Sequence, residues 1–518
     1  MARRADAAPA VHRNTVRRSG VHHVRPDGSM PVRHGRAAGA RRFGLKIAGG
    51  IVALVLVAVL AFAGYWLIRL GTNLRQAPLS AGNTTADASN DATDRLQILI
   101  MGTDTRDGAN SEYGSQADSS GYGNSDVMIL MDISEDNKQI SMTSFPRDLM
   151  VPIPACTDPK THKAFPAQNP GQLNSAMEEA GPGCLLDAIN KITGLTIDHF
   201  LLADFNAVKE LSNTIGGVDV CVNAAIDDPA AGLKLNAGTN TVQGEQALAF
   251  LRSRHGVGDG SDLSRIKSQQ AFLASLARKV RSDGTLTNVP KMLSIADTIT
   301  KNLTVDSGLA NPQSLTTIGN RLKNVDLPKV AFVTVPWAQY APDPARIQLK
   351  EPDAEGLFQA MREGRDLTAP PSASASPSAS PAGTAPSTVP APVAAPTAAY
   401  AKAAQPVSVA NGSAAPGRAQ ELVKLLASAG FTQTSAFAAA PADSTTVYYS
   451  AGFEDVAKDI AAQFNLPAAQ IQPSRAIYGV QLLAGADFAS GEKYTPKVPD
   501  NIVSQTAEQQ TCQAAFGQ

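Results

Sequence analysis

Four short stretches of the chain hold residues suited to a charged, phosphorylated group. The first, MGTDTRDG, sets Asp104, Arg106 and Asp107 directly after an apolar run of strand length, Leu96–Met101. The second, GYGNSDV, brings Asp126 to the start of another such run, Val127–Ile133. Carboxylates at the ends of neighbouring strands can converge, and two of them suit Mg2+, which keeps waters or phosphate oxygens as its other ligands. Asp is also common at strand ends because its side chain satisfies its own backbone, so a plain turn is the alternative. The third stretch, SFPRD, sets Arg147 and Asp148 just past an alternating strand, Gln139–Ser144; a surface ion pair there would need no function. The fourth, AFLRSRHGVGDGSDLSRIKSQQ, is the richest. Arg252 and Arg254 share a face if their stretch is extended. A glycine-rich loop follows, then Arg265 and Gln269 one helical turn apart. Guanidinium forks match phosphate oxygens and hold their charge at any pH. A solvated basic turn would show the same residues, and His255 beside them reads as incidental. Two acids for a divalent cation and four or more Arg together describe a pyrophosphate site. No Walker or kinase glycine pattern accompanies them, which argues against ATP or GTP.

The elements that must position these residues follow a β/α rhythm. Beyond the three runs above, Val218–Val222 and Val330–Val335 read as strands. Leu185–Thr193, stopped by Gly194, and Asn206–Ile215, stopped by Gly216–Gly217, read as helices, and Leu263–Arg281 is the longest, with Asp262 or Ser264 placed to cap it. Strands and helices mixed over one long stretch predict an α/β fold, a central mixed sheet flanked by helices. A second, smaller βαβαβ unit is expected from strands at 407–411, 446–449 and 479–483 alternating with helices at 418–429 and 455–464.

The chain has 518 residues and a formal net charge of −1, so no global field points to nucleic acid. Its charge is uneven. Residues 1–46 are rich in Arg and poor in apolar residues, which predicts a disordered basic tail. The uncharged run Ile47–Ile68 spans about 33 Å as a helix, enough to cross a bilayer core of ~30 Å. We therefore expect one transmembrane helix over 47–69, the basic N-terminus cytoplasmic and the rest extracytoplasmic. A polar stalk is expected at 70–94, the α/β domain at 95–366, and a Pro/Ala/Ser linker at 367–405. The small domain then covers 406–489, and 490–518 reads as a flexible tail. Cys156 and Cys184 bracket a Pro/Gly-rich loop that a disulfide would staple in an oxidising compartment. Cys221 and Cys512 either pair with each other, or Cys221 is a buried thiol and Cys512 is free.

ILIMGTDTRDG, NSDVMILMDI, SFPRDLMVPIP, IDHFLLADFNAVKELSNTIGGVDVCV and GEQALAFLRSRHGVGDGSDLSRIKSQQAFL together resemble the LytR–CpsA–Psr family, and 406–489 resembles the LytR C-terminal domain of actinobacterial members. The resemblance implies a sheet packed by helices, with a prenyl chain in an apolar pocket and its diphosphate at the mouth. It implies an enzyme that moves a glycopolymer (teichoic acid, capsule or arabinogalactan) from a polyprenyl-diphosphate carrier onto peptidoglycan. By motif position Asp104 and Asp126 would hold Mg2+ (or Mn2+). Arg106, Arg147, Arg252, Arg254 and Arg265 would grip the phosphates with help from Gln269, and Asp148 or Asp262 would orient them. Arg147, Arg252, Arg254 and Asp148 are the catalytic candidates. Two positions depart from the family: Asn124 where many members have Arg, and Gln172 where many have Lys. Alternatives are a polyprenyl-diphosphate pyrophosphatase and a non-enzymatic anchored wall-binding protein. DNA binding fails on topology, because the cytoplasmic tail has no fold.

Overall fold

The computed structural model of the chain describes residues 38–79, 94–117, 119, 121–282, 288–310, 312–369, 400–467, 470–495, 498 and 502–517. Most of the expected basic tail (1–37), most of the stalk (80–93) and most of the linker (370–399) lie outside the described residues. The chain divides into two units, Met1–Ala63 and Gly64–Gln518. A helix runs over Ala38–Asn73, and its part Leu54–Asn73 is long and apolar enough to cross a membrane. Leu54 and Leu60 on it are 71% and 70% exposed, a display of apolar surface that water does not favour.

The second unit is built on an eight-stranded mixed sheet. Its spatial order is Arg75–Gln76, Leu303–Val305, His199–Ala203, Leu96–Thr103, Ser125–Ile133, Ile140–Ser144, Val330–Thr334, Val503–Thr506. The three strands that lead into the site stand side by side at its centre, antiparallel to one another. Side chains alternate across the sheet, as the period of two requires. Leu99 and Met101 face one core with the helices Pro182–Thr193 and Asp353–Arg362; Leu96 and Ile98 face another with Ala274 of the long helix Asp262–Ser282. The helix Pro182–Thr193 begins with Pro in its first turn and ends at Gly194, whose φ of 68° is left-handed and whose N–H bonds Asn190 O. Asp204 caps the helix Phe205–Thr214 by accepting from Ala207 N. A third core forms around Val218–Val222 and Phe250 of the helix Glu245–Arg252. The small C-terminal unit has a core of its own, and its sheet has five strands, two more than expected: Thr434–Ala438 and Ile471–Pro473 flank the rest.

One expectation needs correction here and one open alternative is settled. The segment 490–518 is not a free tail. Val503–Thr506 joins the edge of the main sheet beside Val330–Thr334, and Cys512–Gln513 runs parallel to Val218–Val222. These strands are too short for their own periodicity to show; pairing with distant edges creates them. Cys512 is bonded to Cys221, which resolves the open alternative, and Cys156 is bonded to Cys184.

Candidate functional site

Asp104 and Asp126 stand at the same end of the central hairpin. Gly102 pairs with Val127 and Thr103 with Ser125, so Asp126 is the extra residue of a β-bulge. A bulge re-aims a side chain that the regular pleat would send elsewhere. Asp104 lies opposite Asn124, taking its N–H on Oδ1 at 2.8 Å and the Ser119 hydroxyl at 2.7 Å. Among the described residues, Oδ2 carries no hydrogen bond and remains available. The turn depends on Gly123, at φ 67°, where a Cβ would come within 2.7 Å of Asp104 Oδ1 and Thr103 Oγ1.

Around Asp126 stand three Arg from three segments. Arg147 Nη1 donates to Asp126 Oδ1 at 2.6 Å. Arg265 Nη2 donates to Asp126 O at 3.2 Å and to Asp262, while Arg147 N reaches Asp262 Oδ2 at 3.4 Å. Arg254 interacts electrostatically with Asp126 and Asp262 and is repelled by Arg147 and Arg265. Burial opposes ionisation of Asp126, yet Arg265, Arg147 and Arg254 outweigh it and hold the carboxyl below its ordinary range. Asp262 goes the other way: burial raises it in spite of Arg265 and Arg147. Gln269 is buried on the same helix, one turn beyond Arg265. That helix is capped by neither expected residue; Ser261 Oγ accepts from Ser264 N at 3.2 Å.

Arg252 corrects a second reading. It is not extended beside Arg254 but is the last residue of the helix Glu245–Arg252, which forms because Ala247, Leu248, Ala249 and Phe250 bury together. From there its guanidinium carbon stands 4.4 Å from the centre of the Phe205 ring, and that of Arg106 stands 4.9 Å from the same ring. Burial depresses the Arg252 pKa, Arg106 adds repulsion, and Asp126 counters both. Asp126 is thus felt by Arg147, Arg252, Arg254 and Arg265, and Arg106 joins through Arg252. The residues from distant stretches do assemble. Phe205, the aromatic platform between two cations, was not singled out from sequence, where the helix is read from Asn206; the structure starts it at Phe205.

Asp148 is held by two donors, Arg346 Nη1 at 2.8 Å and Gln172 Nε2 at 2.9 Å, and Arg147 Nε stands 3.5 Å from it as an ion pair without a hydrogen bond. Gln172 is neutral and has a cation, Arg346, on the same carboxylate. Arg346 comes from the far end of the hairpin Trp337–Leu349, and no local signal in the sequence links it to the site. Asn124 contributes its backbone N–H and no charge.

The donor set fits a hard divalent cation. Among the described residues no three His, Cys, Asp or Glu side chains gather as a metal site, so a metal here would rest on Asp104 and Asp126 plus water or phosphate oxygens. That is the habit of Mg2+. Among the described residues, several buried guanidinium atoms have no hydrogen-bond partner: Arg106 Nε and Nη1, Arg147 Nε and Arg265 Nε. A buried donor left unpaired costs roughly 1–3 kcal/mol, and an anion is the kind of group that can accept from it. Beside the Asp104 loop opens a cavity of about 310 Å3 lined by Thr103, Thr105, Asp107, Asn110, Tyr122 and Asp204 among others. Its polar walls suit hydroxyl groups better than a prenyl chain.

Comparison with known proteins gives the family. The LytR_cpsA_psr family profile matches residues 71–363, and the profile described as LytR cell envelope-related transcriptional attenuator matches 404–488. "Cell wall biosynthesis protein LcpA" of Corynebacterium glutamicum is 29% identical over 335 residues, 59% of this chain and 64% of that protein. The chain thus spans under two thirds of that relative's length. "Polyisoprenyl-teichoic acid--peptidoglycan teichoic acid transferase TagT" of Bacillus subtilis is 25% identical, over 54% of this chain and 83% of that protein. Among solved structures, the LytR-Csp2A-Psr enzyme from Actinomyces oris is 18% identical with a TM-score of 0.41, covering 56% of this chain and 96% of that chain.

Proposed function

The chain belongs to the LytR–CpsA–Psr family, and from that premise we propose that it transfers a glycopolymer from a polyprenyl-diphosphate carrier to peptidoglycan. The observation that carries the reading is the set of buried, unpartnered guanidinium donors gathered with two carboxylates at one end of the central sheet. Such a set is costly when empty and complementary to a diphosphate.

Arg147, Arg254 and Arg265 hold one part of the diphosphate, and Arg106 with Arg252 the other. Asp126 and Asp262 keep the first three apart and oriented. A hydroxyl oxygen of a peptidoglycan sugar attacks the phosphorus that bears the glycopolymer. The P–O bond to the bridging oxygen breaks, polyprenyl monophosphate departs, and the hydroxyl proton ends on that phosphate or on solvent. A sugar phosphodiester is formed. Charge grows on the bridging oxygen as it leaves, and fixed guanidinium groups stabilise it without reorganising. Asp104 and Asp126 would hold Mg2+, which supplies further neutralisation of that charge when bound.

The topology is part of the proposal. The helix ending at Asn73 crosses the membrane, with the Arg-rich N-terminus inside and the catalytic unit outside, where both the lipid carrier and peptidoglycan are found. No nucleoside triphosphate is needed, because the free energy of transfer is stored in the diphosphate. The test is a reconstitution of the full chain with a prenyl-diphosphate saccharide, peptidoglycan and Mg2+. Saccharide joined to peptidoglycan supports the reading. Release of soluble saccharide phosphate at the same rate with and without peptidoglycan would make the protein a pyrophosphatase, and no turnover of any kind would leave an anchored wall-binding protein.

A further inference from the structure

The loop Ser253–Ser261 carries Arg254 and joins the helix ending at Arg252 to the helix that bears Arg265, and it is held from two sides. From within, Ser253 Oγ donates to Asp228 Oδ2 at 2.6 Å and accepts from Gly256 N at 3.0 Å. From without, the end of the chain lies against it. Gly258 N donates to Ala514 O at 2.8 Å, Phe516 N donates to Gly256 O at 3.1 Å, and Val257 and Ala515 form an antiparallel bridge. The Phe516 ring stands edge-on to His255, with centroids 6.3 Å apart. It also lies over Gly260, where a Cβ would come within 2.9 Å of the ring and 3.3 Å of Arg254 O. The segment is anchored where it arrives: Cys512 is bonded to Cys221, Asn223 N donates to Gln513 O at 3.0 Å, and Ala515 N donates to Asn223 Oδ1 at 2.8 Å.

Phe516 itself is 50% exposed, so it buries little apolar surface in return for being ordered. Its contacts fall on the glycine-rich loop. That loop contains Gly256, Gly258 and Gly260, the last two at φ 66° and 82°, and a chain of this composition has high conformational entropy when unsupported. We infer that residues 514–516 are a positioning element of the phosphate site: they clamp the loop so that Arg254 is presented towards Arg147 and Arg265. The inference rests on the diphosphate reading of that site. None of the three residues touches the reacting atoms; they act through Arg254.

The test uses the full-length chain in detergent and two variants, Phe516→Ala and a chain ending at Gln513, which keeps Cys512 and its disulfide. Geranylgeranyl diphosphate with Mg2+ is the probe. The shortened chain is expected to bind it about tenfold more weakly (~1.4 kcal/mol), and Phe516→Ala to lose part of that. Arg254→Ala should cost less in the shortened chain than in the full chain, because the two changes remove one interaction. Hydrogen exchange over 256–261 should speed up while the melting temperature holds. Unchanged affinity, or an Arg254→Ala loss that is fully additive with the shortening, overturns the inference. If the unaltered chain fails to bind the probe, the diphosphate reading fails instead. Hydrogen exchange then decides the clamp alone: faster exchange over 256–261 upholds it, and unchanged exchange removes it.

Discussion

Arg147 donates through Nη1 to Asp126 Oδ1 at 2.6 Å, while its buried Nε makes no hydrogen bond and stands 3.5 Å from a carboxylate oxygen of Asp148 and of Asp262. The guanidinium is therefore fixed along one edge and left with donor capacity on the other. This is the arrangement of a group waiting for an anion. It also makes Asp126 a shared resource, bound to an Arg yet placed by its bulge beside Asp104.

Asp126→Asn keeps the size of the side chain and removes its charge. Transfer is expected to fall by at least 100-fold (about 3 kcal/mol), and Mg2+ affinity to fall with it. Circular dichroism should stay unchanged. Transfer within threefold of the unaltered chain would take Asp126 out of the site.

Arg147→Lys preserves charge but not the planar fork. A lysine ammonium can meet Asp126 or the phosphate but cannot span both, so we expect loss of about 2–3 kcal/mol in kcat/KM, comparable to Arg147→Ala. Steady-state kinetics on the two variants decides it. Lysine restoring full activity would show that only charge matters there.

Arg346 and Gln172 share Asp148. Removing the cation with Arg346→Ala should leave Asp148 free to draw in Arg147 and lower kcat/KM by roughly tenfold (~1.4 kcal/mol). Adding Gln172→Lys should restore most of it, since a cation returns to the same carboxylate. A double variant no better than Arg346→Ala alone would show that a cation at position 172 cannot stand in for Arg346.

The two central acids predict opposite effects on stability against pH. Three guanidinium groups prevail over burial to hold Asp126 below its unfolded value of about 3.9, so its contribution is full above that value and is lost as pH falls through the folded pKa. Burial raises Asp262, so its contribution is full below the unfolded value and is lost as pH rises through the folded pKa. In melting curves taken across pH, Asp126→Asn should flatten the acid-side loss, and Asp262→Asn the loss on the way up from about pH 4. The reverse pattern would mean the Arg groups are shared differently between them.

The bond Cys156–Cys184 closes 28 residues of Pro- and Gly-rich loop. Chain entropy gives it about 3–4 kcal/mol. Cys184→Ser should lower the melting temperature by several degrees in non-reducing buffer, and dithiothreitol should then have a smaller effect on the variant than on the unaltered chain. No change in melting temperature would show that the loop is ordered without its staple.

Much of this fold is legible locally. The apolar run Leu96–Met101, the alternation in Gln139–Ser144 and the stop at Gly194 each follow from residues within one element, and the structure keeps them within a residue or two. The site is legible as residue types and less so as geometry. Arg252 and Arg254 share a face only if their stretch is extended, which the sequence leaves open; burial of Phe250 makes Arg252 the end of a helix instead. Asp126 looks like any strand-end acid until the register with Gly102 and Thr103 makes it a bulge. The rest depends on partners far away in the chain. Arg346 is 198 residues from Asp148 and Cys512 is 291 from Cys221. Strands of four and two residues at 503–513 have no pattern of their own, since pairing with the sheet edge and with Val218–Val222 is what shapes them.

The fate of the phosphorus tests the account most directly. A prenyl-diphosphate saccharide labelled with 32P only on the phosphorus next to the sugar is incubated with the full chain, Mg2+ and peptidoglycan. The account predicts label covalently attached to peptidoglycan and unlabelled prenyl monophosphate released. Label leaving with the prenyl chain, or appearing as free phosphate or soluble saccharide phosphate, would contradict it.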